Sequence, residues 1–154
     1  MSKQQTFSFI SSTRLTHGGE LARGKRKSER PLKMNKPLHI VLRAKRSSLK
    51  TKERKIQNLL KKYAERFNIK IYRVSVNSSH LHLLIVVKRR MHFQHFLRSI
   101  TGLIARLMGA GKLWEYLAFS RVSDWGKQYR ILVQYIEKNV LEASGLISFS
   151  PRTG

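Results

Sequence analysis

Apolar and polar residues alternate along the chain with two different periods, and these periods predict strands and helices in a definite order. In residues 39–44 the period is two, which places His39, Val41 and Arg43 on one face of a β-strand. In residues 49–67 apolar side chains recur every three or four positions, which is typical of an amphipathic helix. The first regular part of the chain is therefore predicted to be a strand followed by a helix.

The next part of the pattern predicts a hairpin and a second helix. Residues 70–76 and 80–87 are predicted strands, and the turn Asn77-Ser78-Ser79 between them is so short that they should be antiparallel neighbours. Residues 93–107 carry apolar side chains at helical spacing, and the helix is predicted to end near Gly109.

A fourth strand is predicted over residues 113–122, and a last helix runs from Asp124, as its N-cap, to about residue 139. The order β-α-β-β-α-β followed by a helix is that of an α+β, ferredoxin-like fold with an antiparallel sheet. Two helices would cover one face of this sheet. The other face would be free to hold a functional site.

Composition divides the chain into three parts. Residues 37–147 carry the regular pattern and form the predicted ferredoxin-like domain, and residues 148–154 form a C-terminal tail. Residues 1–36 are polar and basic with little apolar periodicity, so we expect a largely irregular arm that could order on nucleic acid. The alternative is that this arm is a solubilising tail.

The charge of the chain identifies its class of partner. There are 32 Lys and Arg against 8 Asp and Glu, a net charge of +24, which favours a polyanion. No apolar run is long enough to span a membrane and no export signal is recognised near Met1, so nucleic acid is preferred to a membrane and a cytoplasmic location is expected. The absence of cysteine excludes a disulfide framework. The candidate DNA-binding residues are Arg23, Lys25, Arg26, Lys27, Arg43, Lys45, Arg46, Lys88, Arg89 and Arg90.

The segment His80-Leu81-His82 begins the third predicted strand and is the strongest candidate for chemistry. Strand alternation puts His80 and His82 on one face, where two imidazole nitrogens could bind one metal ion. Packed and hydrogen-bonded histidines are the alternative. His39, on the neighbouring strand, could either support the site or simply pack.

The last helix contains two tyrosines, and the helical period places them on different sides of the helix. Tyr129 belongs to an apolar stripe that also includes Ile136 and Val140, whereas Tyr135 lies about 120° away and shares its direction with Asn139. Tyr135 could be a surface residue, or it could face a bound phosphate while Asn139 completes a metal site with the two histidines.

These segments resemble those of the HUH single-tyrosine transposases, and most closely the group of REP-associated tyrosine transposases. The likeness is carried by His39-Ile40-Val41-Leu42-Arg43, by Asn77 to Leu84 with its His80-Leu81-His82 pattern, and by Tyr129 to Asn139. Gly18-Gly19 and the basic residues after it are similar to an N-terminal extension of some members. Val140 stands where a proline often follows, so the helix can continue here.

The resemblance implies a ferredoxin-like enzyme of the bacterial nucleoid that nicks single-stranded DNA at or beside REP-like hairpins and rejoins strands. Carried over by position, His80, His82 and Asn139 would be metal ligands and Tyr135 the nucleophile that forms a 5′-phosphotyrosine. The cofactor would be a divalent metal, Mg²⁺ or Mn²⁺. Relatives act as homodimers or alone, and both remain open here.

A non-catalytic protein is the competing interpretation. It would be a domesticated DNA-hairpin-binding protein or an RNA-binding ferredoxin-like domain. The RNA-binding version predicts aromatic side chains on the central strands, and residues 80–87 contain none. Trp114 and Trp125 could stack on unpaired bases or could belong to the core.

Overall fold

Five antiparallel strands form one sheet within residues 15–26, 28–45 and 48–146, which are the residues that this structure, a computed structural model, describes. In chain order they are β1 (Thr16–His17), β2 (Pro37–Arg43), β3 (Lys70–Val76), β4 (His80–Val86) and β5 (Phe119–Val122). Their order in the sheet is β1-β5-β2-β4-β3. The candidate residues Lys27 and Arg46 and the predicted tail 148–154 lie outside the described residues.

Three α-helices pack on this sheet over the described ranges. They are α1 (Glu53–Arg66), α2 (Arg90–Leu107) and α3 (Lys127–Ala143), and short 3-10 turns occupy Glu20–Ala22 and Leu49–Lys52. The chain therefore follows the predicted β-α-β-β-α-β-α order from β2 onward, and the α+β, ferredoxin-like fold with a C-terminal helix is confirmed. None of these helices is both long and apolar enough to cross a membrane.

The hydrophobic core lies between one face of the sheet and helices α1 and α2. Alternation in β2 and β4 sends every second side chain to this face, where Ile40 and Leu83 are paired and fully buried. Helix α1 contributes Ile56, and α2 contributes Phe96, both without solvent exposure. The opposite face of the same strands carries the histidines and is covered by α3.

The predicted strand over residues 113–122 is shorter than expected, because its two ends pair with β2 out of register. Phe119 pairs with Val41, whereas Trp114 forms an isolated bridge with Ala44. Between these two pairs the chain advances five residues from Trp114 to Phe119 but only three residues from Val41 to Ala44. The two extra residues have no partner in β2, so the ladder of strand pairs is interrupted. Residues 115–118 leave the sheet and form a loop beside it.

Helix α3 begins later than the sequence predicted. Its N-cap is Gly126, with φ +96°, and not Asp124. The backbone N–H of Asp124 donates to Oε1 of Gln128, and its carboxylate pairs with Lys36 at 3.3 Å. Asp124 therefore joins the segment before α3 to Lys36, the residue before β2, but does not cap the helix. The helix continues through Val140 to Ala143, as the absence of proline allows.

The described part of the N-terminal arm is attached to the edge of the sheet. Strand β1 pairs with β5, and Arg30 Nη1 donates to the carbonyl oxygen of Ala118 and to Oγ of Ser120 at 2.8 and 2.7 Å. Gly18 has φ +74°, and a Cβ there would collide with the Ala118 carbonyl, so glycine is required for this approach. The division of the chain at residue 36 stays a prediction.

Candidate active site

The paired histidines of β4 lie on the face of the sheet that α3 covers. His80 is directly opposite Arg43 of β2, and His82 is opposite Val41. The two imidazole rings are nearly parallel, with 25° between their planes and 6.2 Å between their centroids. His82 is buried and His80 is half-buried, so the pair extends from the interior to the solvent.

Each of these histidines has a hydrogen bond at Nδ1. His80 Nδ1 is 2.9 Å from Oγ of Ser79, and His82 Nδ1 is 3.3 Å from Nε2 of His39. Such bonds determine which ring nitrogen carries the hydrogen and how the ring is oriented. The nitrogen that each of the pair would offer to a cation is therefore Nε2.

The surroundings of His39 and His80 lower the pKa of both imidazoles. Burial, together with the positive charge of Arg121, lowers the pKa of His39 to about 4. Burial and the nearby Arg43 lower the pKa of His80, with Glu115 opposing the shift. Neutral imidazole is the form that binds metal ions, so the lowered pKa of His80 favours a ligand role for this residue at neutral pH.

The side of helix α3 that faces the sheet is not the side that its apolar stripe predicted. Ile136 and Asn139 are its buried residues, Tyr135 is half-buried, and Val140, which the stripe placed inside, is 40% exposed. The helix is rotated toward Tyr135 because the surface beneath it is the polar, histidine-bearing face of the sheet. The predicted inward position of Val140 is wrong.

The rotation of α3 brings Tyr135 to the histidines of the same chain. The centroid of its ring is 5.7 Å from that of His82 and 6.0 Å from that of His39, both in edge-to-face geometry. Asn139, one turn further along the helix, is 2% exposed on the same side. The four residues predicted to form a site thus line one cavity of about 580 Å³.

The side chains that line this cavity are the candidate ligands for a metal ion. In the part of the chain that the structure describes, no three His, Asp or Glu side chains group as cation ligands. A cation bound by His80 and His82 would therefore need the amide oxygen of Asn139, or oxygens of a bound substrate, to complete its coordination. The donors present fit a divalent cation that accepts imidazole and oxygen together.

Sequence reasoning missed two residues of the cavity. Glu142 lines it beside Asn139, and its side chain is only 7% exposed. Its position one turn after Asn139, near the end of α3, was the available signal. The sequence pattern indicates only a turn at Ser79, whereas in the structure its hydroxyl is hydrogen-bonded to His80 Nδ1. His39, for which the sequence allows either a supporting or a packing role, contacts both His82 and Tyr135.

The candidate DNA-binding residues occupy several surfaces. Lys88 and Arg89 are exposed where β4 leads into α2, whereas Arg90 is half-buried and pairs with Glu29 at 3.4 Å. Arg43 lies beside the histidines and pairs with Glu115 at 3.1 Å. The remaining described candidates are exposed, and they are Arg23, Lys25, Arg26 and Lys45.

The two tryptophans have different surroundings. Trp114 packs against the core and donates from Nε1 to the carbonyl oxygen of Thr101. Trp125 is 42% exposed and packs on Tyr129, with 5.0 Å between ring centroids. Tyr129 also contacts Tyr72 of β3 at 5.9 Å. Trp125 is therefore exposed at the surface, whereas Trp114 is half-buried at the edge of the core.

Comparisons with known proteins agree with this architecture. Residues 33–139 match the family model described as "Transposase IS200 like". A solved REP-associated tyrosine transposase, bound to a REP hairpin, superposes with a TM-score of 0.67 at 17% identity, over 79% of this chain and 76% of that one. A putative transposase from Deinococcus radiodurans R1 has a TM-score of 0.47 at 19% identity, over 74% and 98% of the two chains. No curated protein matches the sequence.

Proposed function

The chain belongs to the family of IS200-like transposases, and on that premise we propose that it is a metal-dependent single-strand DNA endonuclease and strand transferase. Its substrate would be a DNA hairpin, nicked within or beside the stem. The hairpin is suggested by the structural relative with a TM-score of 0.67, which is bound to a REP hairpin. In a bacterial cell such a substrate would locate the protein at the nucleoid.

The observation that carries this proposal is the position of Tyr135. Its side chain lines one cavity with His80, His82 and Asn139. Because all four residues belong to one chain, a single copy could assemble the site. A homodimer is compatible with the proposal but is not required to complete the cavity.

A divalent cation, Mg²⁺ or Mn²⁺, would be held by His80 Nε2, His82 Nε2 and the amide oxygen of Asn139. When bound, it would polarise the scissile phosphate and neutralise the charge that develops there. Imidazole ligands favour Mn²⁺ over Mg²⁺, because Mg²⁺ prefers oxygen donors.

The chemical role of Tyr135 follows from its phenol. The ordinary pKa of a tyrosine is near 10, so the hydroxyl must lose its proton as it attacks. The phenolic oxygen would form a bond to phosphorus while the bond between phosphorus and the 3′ oxygen breaks. The proton of the phenol goes to solvent or a nearby base, and the departing 3′ oxygen takes up a proton. The product is a 5′-phosphotyrosine and a free 3′-hydroxyl, which can be rejoined without ATP.

The positive charge of the chain would hold the DNA through its phosphates. A net charge of +24 gives a large electrostatic contribution to affinity, which falls steeply as salt concentration rises. Arg43, which lies opposite His80 in the sheet, is a candidate for such a contact beside the cavity.

A covalent-adduct assay tests the proposal. The full chain is incubated with Mn²⁺ and hairpin oligonucleotides that carry single-stranded flanks and a label on the 3′ side of the candidate nick. The labelled DNA should then migrate with the protein on a denaturing gel. Tyr135→Phe should abolish this adduct, and EDTA should do the same. Tyr129→Phe is the matched control, since Tyr129 packs on Trp125 away from the cavity, and it should retain the adduct.

Two results would contradict the proposal. One is an adduct that survives Tyr135→Phe. The other is tight hairpin binding by the wild-type chain with no adduct under any metal, which would favour a domesticated hairpin-binding protein. Preference for an RNA hairpin of the same sequence over the DNA version would favour the RNA-binding alternative.

A further inference from the structure

One row of paired residues on the histidine-bearing face of the sheet has an arginine at each end. Arg73 of β3 is opposite Leu84 of β4. Leu84 is opposite His39 of β2, which is in turn opposite Arg121 of β5. Residues that pair directly across antiparallel strands point to the same face, so both arginines lie on the face that carries the candidate site.

The arginines of this face differ in their counter-ions. Arg73 Nε is 3.3 Å from Oε1 of Glu137 on α3, so its charge is offset within the protein. Arg43 Nε is 3.1 Å from Oε2 of Glu115. Arg121 is exposed and forms no ion pair with any residue that the structure describes. Of these three arginines, Arg121 is therefore the one whose charge no carboxylate offsets.

Arg121 lies on the half of this face that α3 leaves open. Helix α3 packs mainly on β3 and β4, whereas β5 is separated from β4 by β2. Adjacent strands of a sheet are about 4.8 Å apart, so the strand of Arg121 is on the order of 10 Å from the strand of His82. A DNA strand that reaches the histidines from solvent could cross this open half of the sheet.

His39 lies between Arg121 and the proposed nucleophile. The centroid of its ring is 6.0 Å from that of Tyr135, and Arg121 is its direct partner on β5. Burial and the positive charge of Arg121 lower the pKa of His39, so the guanidinium is close enough to act on this ring. Arg121 does not itself line the cavity around Tyr135. It is thus placed for a group next to the reacting phosphate and not for that phosphate itself.

We propose that Arg121 binds the backbone phosphate next to the one that is cut, and that it holds the substrate strand across β5 and β2. The inference rests on the proposed function, because it takes one phosphate of a DNA strand to lie between Tyr135 and the paired histidines. One or two nucleotides of an extended strand span the distance from that position to Arg121. A guanidinium can donate two parallel hydrogen bonds to phosphate oxygens, which fixes the orientation of the group as well as its position.

The surroundings of Arg121 favour a phosphate as its ligand. Its partner on β1 is the uncharged Thr16. A phosphate at Arg43 would be repelled in part by Glu115 and by Glu20, whose Oε2 is 4.0 Å from Arg43 Nη1. No such repulsion from a paired carboxylate opposes a phosphate at Arg121. A phosphate there would also supply the counter-charge that this arginine lacks within the described residues.

Methylphosphonate substitution tests this inference. Hairpin oligonucleotides with single-stranded flanks are prepared with one uncharged methylphosphonate at each flanking linkage in turn, and their affinity for the full chain is measured by fluorescence anisotropy. The wild type should lose affinity roughly five- to tenfold at each linkage whose phosphate it binds. In Arg121→Gln, one of these linkages should lose its effect, and it should be the neighbour of the linkage that Tyr135 cuts. The slope of log affinity against log salt concentration should also fall by about 0.7 in this variant.

Arg73→Gln is the matched control, because Arg73 lies in the same row and on the same face but is neutralised by Glu137. It should keep the wild-type pattern of sensitive linkages. Arg121→Lys keeps the positive charge and should retain the effect at the linkage that Arg121→Gln silences. Thermal unfolding of the three variants identifies any change that comes from misfolding. The inference is overturned if folded Arg121→Gln gives the wild-type pattern, or if Arg73→Gln silences the same linkage.

The outcomes separate this inference from the proposed function. A protein that forms the Tyr135 adduct, and whose Arg121→Gln variant keeps every sensitive linkage, retains the nuclease function and loses the phosphate site. A protein in which Arg121→Gln silences one linkage, but which forms no adduct, retains the phosphate site and loses the nuclease function.

Discussion

His39 Nε2 lies 3.3 Å from His82 Nδ1, so two imidazoles on neighbouring antiparallel strands share one hydrogen bond inside the protein. If His82 offers Nε2 to a metal ion, its Nδ1 must carry the hydrogen and donate it to His39. The low pKa of His39, about 4, keeps it in the neutral form that can accept. We therefore interpret His39 as a positioning residue for His82.

Replacing His39 should weaken metal binding without removing a ligand. His39→Phe keeps an aromatic ring but loses the nitrogen that accepts from His82, and loss of such a partner typically costs 10- to 100-fold in metal affinity. We expect a decrease of roughly tenfold in Mn²⁺ affinity, measured by electron paramagnetic resonance titration. His95→Phe, in which the replaced ring stacks on Phe67, is the control and should bind Mn²⁺ as the wild type does. Equal affinities for His39→Phe and wild type would exclude the positioning role.

The stability of the protein should depend on pH through His39. Its pKa is lowered to about 4 by burial and by Arg121, whereas the unfolded chain titrates near 6.5. Between these values the unfolded state binds more protons, so the free energy of unfolding falls as the pH falls from about 6.5 to 4. The contribution of His39 to this loss is about 3 kcal/mol, at about 1.4 kcal/mol per pH unit.

Urea unfolding at several pH values checks this prediction. The wild-type curve should lose stability through the window from 6.5 to 4, and His39→Phe should lose less over the same window. Parallel curves for the two proteins would show that His39 titrates normally in the folded state.

The basic residues at the start of α2 should differ in their contribution to DNA binding. Lys88 and Arg89 are exposed, so each could contact one DNA phosphate. Lys88→Gln or Arg89→Gln should each reduce the slope of log affinity against log salt concentration by about one. Arg90 is held by Glu29 and by the carbonyl oxygen of Arg30. Arg90→Gln should leave the salt dependence unchanged and lower stability by about 1 kcal/mol. Fluorescence anisotropy at several salt concentrations measures these slopes, and a single common slope would contradict the distinction.

The docking of the arm should depend on Gly18. Gly18→Ala adds a Cβ that collides with the carbonyl of Ala118, at a position where φ is +74°. We expect it to lower the free energy of unfolding by about 2–4 kcal/mol, from strain and displacement of the arm. Gly24→Ala is the matched control, since Gly24 has φ +73° with open space around it, and it should cost only about 1 kcal/mol. Chemical denaturation of both variants tests this, and equal losses would mean that the contact with Ala118 is not restrictive.

The order of strands and helices could be predicted because each depends on a local repeat. Alternation in residues 80–86 places His80 and His82 on the same face whatever the rest of the chain does. The turn at Asn77-Ser78-Ser79 makes β3 and β4 neighbours for the same local reason. These features need only the residues within each segment, so the sequence by itself determined them.

The tertiary structure decided how these segments meet. The apolar stripe of α3 predicted that Val140 faces inward, but the helix packs on a polar sheet face and turns Tyr135 and Asn139 toward it. Trp114 and Phe119 pair with β2 in two different registers. This difference could not be predicted from either segment alone, because register is a property of two paired strands. A helix period fixes relative directions around an axis, whereas the rotation of that axis depends on contacts far apart in sequence. The cavity around Tyr135 is therefore a property of the assembled fold.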